Sequence, residues 1–334
     1  MLGQNKVGLA LLALLTGTLA FAYVMSCPLP KDSTPKVVTV EPGYTTRQVA
    51  TLLQENGIIR NQVLFRILVR IMGADGKIQS GEFQFEPGIF AWDAVKSLVE
   101  GRVIYYTLTV REGLTVEQMA DLVEERGFGS AVAFLEIVKD ATLLPDYVST
   151  DEVKDTRYPL EGYLFPDTYF VRKGVTERDL VSMMLARTSQ VCTRDILESI
   201  RQAGLSPHEA FTMASIVEKE ARAAEERPKI AAVYLNRLKI GMKLDADPTV
   251  MYAVGKNQGP VLWKDLEADS PYNTYRRVGL PPGPISNFGK ASLEAVLNPD
   301  SVDFLYFVAK NDGTHAFART LSEHNANVAQ YQGH

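Results

Sequence analysis

The chain has 334 residues, 46% of them hydrophobic and 22% charged, so it is long enough for more than one packed core and too apolar to stay disordered. Its formal net charge of -5 comes without a lysine-arginine cluster, which excludes the dense positive footprint that nucleic acid requires. Cys27 and Cys192 lie far apart in sequence and suggest no disulfide framework. The histidines, His208, His315, His324 and His334, show no ligand spacing, so neither a metal nor a cofactor is expected.

In chain order, residues 1–6 read as a short cytoplasmic tail. From Val7 to Met25 the chain is uncharged and almost wholly apolar, about the length needed to cross a hydrocarbon core of roughly 30 Å as a helix. Lys6 and the amino terminus place the short side in the cytoplasm, opposed by Lys31 and Lys36 on the far side. A cleaved signal peptide, or a lipid-attachment signal ending at Ser26-Cys27, are the competing readings, and all three export the remainder of the chain. Residues 26–37, with Pro28, Pro30 and Pro35, form a proline-stiffened linker.

A repeat comes next. Thr39-Val40-Glu41-Pro42-Gly43-Tyr44-Thr45 matches Thr109-Val110-Arg111-Glu112-Gly113-Leu114-Thr115, and the match continues through Gln48/Gln118, Ala50/Ala120, Leu52/Leu122 and Gly57/Gly127. Each copy predicts a strand, a glycine turn, and a helix capped by Thr45 or Thr115 and closed by Gly57 or Gly127. The first copy, running over 38–107, resembles LysM-type modules that hold N-acetylglucosamine glycans, with a closing strand expected near Val103 to Thr107. A spacer whose helices touch no glycan is the alternative. Phe90 and Trp92 can stack on a sugar face, although aromatics beside Val95 and Leu98 are more often core. The second copy and a connector occupy 108–157.

The remainder, 158–330, carries the chemistry. Leu160-Glu161-Gly162-Tyr163-Leu164-Phe165-Pro166-Asp167-Thr168-Tyr169 predicts a junction wall. Glu161 and Asp167 are carboxylates that serve either a site or a turn. Thr176 predicts a helix cap, with the helix reaching Ser189. Ser206-Pro207-His208-Glu209 supplies an N-cap, a proline at the first helical position and a capping box, so an apolar helix starts there. At about 100° per residue, Glu218 falls on the stripe of Phe211 and Ala214. Glu220 lies about 200° further round, near Met213 and Ile216, so the two carboxylates cannot reach one bond. A carboxyl group beside apolar neighbours has the raised pKa that glycosidic protonation needs. A surface salt bridge from Glu218 to Arg222 is the structural alternative.

The strings Leu160 to Tyr169, Ala214-Ser215-Ile216-Val217-Glu218-Lys219-Glu220, Val233-Tyr234-Leu235-Asn236-Arg237-Leu238, Asp247-Pro248-Thr249-Val250 and Tyr272-Asn273-Thr274-Tyr275 occur in the order seen in the endolytic murein transglycosylase (YceG-like) family, which this chain resembles over its whole length. The resemblance implies an α+β protein with an N-terminal transmembrane helix, a small LysM-like α/β module and a C-terminal catalytic domain. It implies a single-pass protein of the bacterial inner membrane with its catalytic domain in the periplasm. There it would cut nascent peptidoglycan between N-acetylmuramic acid and N-acetylglucosamine to leave 1,6-anhydro ends. Glycan strands are the implied substrate and peptidoglycan synthases in the same membrane the implied partners.

Carried over onto this sequence, Glu218 matches the family's acid. It would protonate the glycosidic oxygen and then take the proton of the muramic C6 hydroxyl as that oxygen closes on C1. Glu220, Asp245 and Asp247 are candidates to shield positive charge, and Asp247-Pro248 also reads as a helix N-cap. Asn236, Tyr272, Asn273 and Tyr275 are candidate substrate-binding residues, with buried structural roles as the alternative. Two positions depart from the family pattern: Asp245 replaces an uncharged polar residue, and Asn287-Phe288-Gly289 replaces Asn-Pro-Gly. A non-catalytic, membrane-tethered glycan-binding scaffold and a lysozyme-type hydrolase are the rival functions.

Overall fold

The computed structural model describes residues 16–17 and 34–333. Apart from residues 16 and 17, the segment expected to span a membrane lies outside the described residues. No helix among the described residues is long and apolar enough to cross one. The chain divides into two compact units, Met1–Thr107 with Phe170–Gly174, and Leu108–Tyr169 with Val175–His334. Two of the three boundaries fall inside strands, β3 (Tyr105–Thr109) and β4 (Thr168–Arg172).

The smaller unit runs β1 (Lys36–Val40), α1 (Thr46–Glu55), α2 (Gln62–Ile71), β2 (Gly81–Phe85) and α3 (Ala91–Glu100). Alternation in Lys36-Val37-Val38-Thr39-Val40 turns Val38 and Val40 inward. β1 and β2 pair antiparallel, with Lys36 opposite Phe85 and Val40 opposite Gly81. The strand expected near Val103 to Thr107 is present as β3, while Val103 itself makes an isolated bridge to Phe83. Thr45 caps α1 through a reciprocal box with Gln48, and Gly57 ends it at φ +65°. Val49, Leu53, Phe65, Val69, Phe83, Phe85, Val95 and Leu98 fill one core. Trp92 is not among them: it stands 49% exposed.

The larger unit opens with the second repeat, which is part of its core. Thr115 and Gln118 box α4 (Val116–Glu125), and Val116, Met119, Ala120 and Val123 are buried. After α5 (Ala131–Ile137), the Leu160 to Tyr169 run forms an internal junction. Glu161, fully buried, accepts the Val116 N–H at the start of α4 (3.1 Å) and the Tyr252 hydroxyl (3.2 Å). Asn287 accepts the Leu164 N–H (2.9 Å), and its own N–H donates to the Leu114 carbonyl (2.8 Å). Asp167 pairs with Arg187 at 2.7 Å. Both junction carboxylates thus hold structure.

The helices α6 (Glu177–Val191), capped by Thr176, and α7 (Arg194–Gln202) lead to α8 (Pro207–Glu220). Ser206 and Glu209 box the start of α8 as the sequence predicts. Every residue from Ala210 to Val217 is buried, so α8 has no solvent face along that stretch. It packs against α7, α9 (Arg227–Lys239), α10 (Asp247–Ala253) and α12 (Lys290–Leu297), with the short α11 (Trp263–Leu266) packing on α10. His208 ties the loop at Pro281-Pro282 to this hub: Nδ1 accepts the Tyr163 hydroxyl (2.7 Å), and Nε2 donates to the Pro282 carbonyl (2.7 Å). The antiparallel hairpin β5 (Tyr306–Ala309) and β6 (His315–Ala318), turning at Asn311-Asp312-Gly313, and α13 (Leu321–Tyr331) complete the unit.

Gly162 sits at φ +82°, and a Cβ there would meet the Pro284 ring at 2.4 Å. Gly204 has φ +74° with open space around it. Gly162→Ala should therefore lose clearly more stability in denaturant titration than Gly204→Ala, whose cost is about 1 kcal/mol from backbone conformation alone.

Candidate active site

The last turn of α8 ends in three consecutive ionisable residues, and helical geometry sends their side chains apart. The Glu218 carboxylate accepts the Gly289 N–H (3.1 Å) and the Ser292 hydroxyl (2.7 Å), both at the start of α12. Arg227 stands 3.5 Å from its other oxygen, with the Glu218 side chain only 7% exposed. Its ion-pair partner is thus Arg227 on α9, and the pair is buried rather than at the surface. Lys219 donates to the Gly113 carbonyl at 3.1 Å.

Glu220 faces elsewhere. Its carboxylate accepts the Tyr234 hydroxyl of α9 at 2.7 Å, on the wall of a cavity of 310 Å³. Asp247, Tyr275, Arg237, Asp245 and His315 line the same space. Burial pushes the Glu220 carboxyl up to about 7. The Tyr234 hydrogen bond opposes that shift, the negative charge of Asp247 adds to it, and Arg222 and Arg237 oppose it. Asp247, expected at an N-cap, is instead the first residue of α10 with Ala246 at the cap, and its carboxylate accepts the Tyr275 hydroxyl (2.8 Å). Asp245, at φ +47°, lies 3.3 Å from Arg237, so its charge is compensated locally and the acidic neighbour acting on Glu220 is Asp247.

Of the candidate residues, the cavity brings together Glu220, Asp247 and Tyr275, along with Asp245. Three others are used by the framework. Asn236 donates to the carbonyls of Val302 (2.8 Å) and Phe304 (3.2 Å). Tyr272, buried, accepts the Arg157 N–H and stacks near Tyr252. Asn273 donates to the carbonyls of Leu266 and Ala268, pinning its own turn.

No separate sequence signal marks Tyr234 and Arg237, since both sit in a mostly buried helix without an amphipathic stripe. His315 is equally silent. Glu226 fixes it by accepting the imidazole Nδ1–H at 2.7 Å and the backbone N–H at 3.1 Å.

A model of the YceG-like family matches residues 38–330. The chain belongs to the YceG-like family. An endolytic murein transglycosylase of Bacillus subtilis is 38% identical over 93% of this chain and 90% of its own length. One from Streptococcus pneumoniae is 32% identical over 97% of this chain, which spans 64% of that longer protein. The crystal structure of a YceG-like protein from Listeria monocytogenes superposes with a TM-score of 0.62 at 35% identity, covering 88% of this chain and 99% of that one.

The raised Glu220 carboxyl also acts on stability. Between the ordinary carboxyl value of 4.5 and about 7, the folded form of this YceG-like chain holds a proton that the unfolded chain has released. Stability from this group therefore falls as pH rises through that window. Glu220→Gln keeps an acceptor for Tyr234 and removes the titration. It should raise stability by about 1–3 kcal/mol at pH 8 and change it little at pH 4, read from denaturant midpoints at both.

Proposed function

We propose that this chain is an endolytic peptidoglycan lytic transglycosylase that cleaves nascent glycan strands between N-acetylmuramic acid and N-acetylglucosamine and leaves 1,6-anhydro ends. Glu220 is its acid and base. The observation that carries the reading is the desolvated Glu220 carboxyl facing a cavity walled by Tyr234, Asp247 and Tyr275. The relatives' shared name supports the substrate. The resemblance gives this role to Glu218, one oxygen of which accepts from Gly289 and Ser292 while Arg227 stands 3.5 Å from the other; the Glu220 assignment is preferred here for its cavity.

In the reaction, protonated Glu220 gives its proton to the glycosidic oxygen as the bond to the muramic C1 breaks. The carboxylate left behind is held by the Tyr234 hydroxyl and the charge of Arg237, so it persists long enough to act as base. It then accepts the C6 hydroxyl proton while that oxygen bonds to C1. The ring closes, and Glu220 is protonated again. No water is consumed. Positive charge on the sugar between the two steps is met by Asp247 or by the substrate's own acetamido oxygen.

On this reading residues 7–25 anchor the chain in the bacterial inner membrane, and the units lie in the periplasm. The smaller unit, whose strand-helix-helix-strand order and exposed Trp92 suit a sugar face, serves as a LysM-like glycan holder. Peptidoglycan synthases in that membrane are the partners it implies.

Mass spectrometry of products from uncrosslinked strands tests the assignment. Anhydro-ended glycans are expected from the unaltered chain, with cleavage falling by about 10²-fold or more in Glu220→Gln and persisting in Glu218→Gln. Reducing ends would make it a hydrolase instead, and glycan binding without cleavage a scaffold.

The pH-rate profile gives a second expectation. Cleavage should decline as pH rises past about 7, where Glu220 loses its proton. Tyr234→Phe removes a bond that lowers the Glu220 value, so the alkaline limb should move to higher pH.

A further inference from the structure

Helix α2 of the smaller unit presents an outward face that its fold does not use. Phe65 and Val69 are fully buried in the core, with Leu68 packed partly against it. On the opposite side Val63, Ile67 and Ile71, four residues apart, are 57%, 50% and 70% exposed. Such spacing aligns them in one stripe along the helix. Arg66 and Arg70, both exposed, flank the stripe, and α2 contains no acidic residue. The nearest acid beyond its end, Asp75, accepts the Thr46 hydroxyl (2.8 Å). An ordinary surface helix is polar on its solvent side. Aliphatic residues bordered by arginines are instead the pattern of a helix lying in a lipid interface, where chains enter the acyl boundary and guanidinium groups meet anionic headgroups.

We propose that this face of α2 docks on the surface of an anionic lipid bilayer. The inference rests on the reading of residues 7–25 as a membrane anchor, which fixes the occupant. The ten residues between Met25 and Lys36 span at most about 35 Å even when fully extended, so β1 begins within that distance of the end of the apolar run. The smaller unit is thereby confined near headgroups at high local concentration. A weak interfacial contact is enough to hold it there. The charge of this face agrees as well: Arg66 and Arg70, on a helix without an acidic residue, suit a negatively charged lipid surface.

The test uses the full chain with Cys27→Ser and Cys192→Ala, reconstituted in phosphatidylglycerol-phosphatidylcholine vesicles. An environment-sensitive fluorophore is placed through Val63→Cys, Ile67→Cys or, as a control on β2, Gln84→Cys. Docking predicts blue-shifted emission at positions 63 and 67 that nitroxide-labelled lipids quench, and aqueous emission at 84. Adding Arg66→Glu and Arg70→Glu should lower the docked fraction roughly tenfold. If the chain floats with the vesicles while both helix probes remain aqueous, docking is overturned and the anchor reading stands. A blue shift without lipid quenching means that protein covers the face, which also overturns it. If the chain does not float with vesicles at all, docking and the anchor reading fall together.

Discussion

Everything in the larger unit hangs on the enclosure of α8. A helix buried on all sides from Ala210 to Val217 cannot rotate or slide without opening contacts to α7, α9, α10 and α12 together. Its polar residues are satisfied inside the hub: Thr212 donates to the His208 carbonyl, and Ser215 accepts the Ile285 N–H. That rigidity fixes where the final turn releases Glu218, Lys219 and Glu220. Two carboxyl groups two residues apart are thus sent into separate environments, one closed by donors and one facing a cavity.

A polar network joins distant segments of the same unit. Asn287 reaches Leu114 and Leu164 on segments more than a hundred residues away, and Glu161 joins the start of α4 to α10 through Tyr252. Burial pushes the Glu161 carboxyl up to about 8, against the pull of the Val116 N–H and the Tyr252 hydroxyl. A buried carboxyl group is a costly joint unless its donors stay in place, so it ties the second repeat to α10. Phe288 packs edge-on against Phe211 at 5.1 Å and joins the α8 core.

How much of the structure was legible in the sequence depended on the range of each interaction. The caps at Thr45, Thr115, Thr176 and Ser206 could be read because cap and partner lie three residues apart. The pairing of β1 with Gly81–Phe85 could not, since a strand at Val103 would satisfy the same local pattern. Helical geometry separated Glu218 from Glu220 but did not say which faced a cavity. That depended on Gly289 and Ser292, 71 and 74 residues downstream, and on Tyr234 in the next long helix. The framework bonds of Asn236, Tyr272 and Asn273 were hidden for a related reason: amide and phenol groups that suit a sugar also suit buried carbonyls and turns.

A single carboxyl group that serves as acid and then base needs a proton affinity near the working pH, because too low a value spoils the first step and too high a value the second. In the proposed mechanism the cavity meets both demands with opposed neighbours. Desolvation and Asp247 hold the proton on Glu220, while Tyr234 and the arginines stabilise the anion once it has gone. The Arg237 guanidinium is at the same time paired with Asp245 at 3.3 Å, so one cation serves two carboxyl groups.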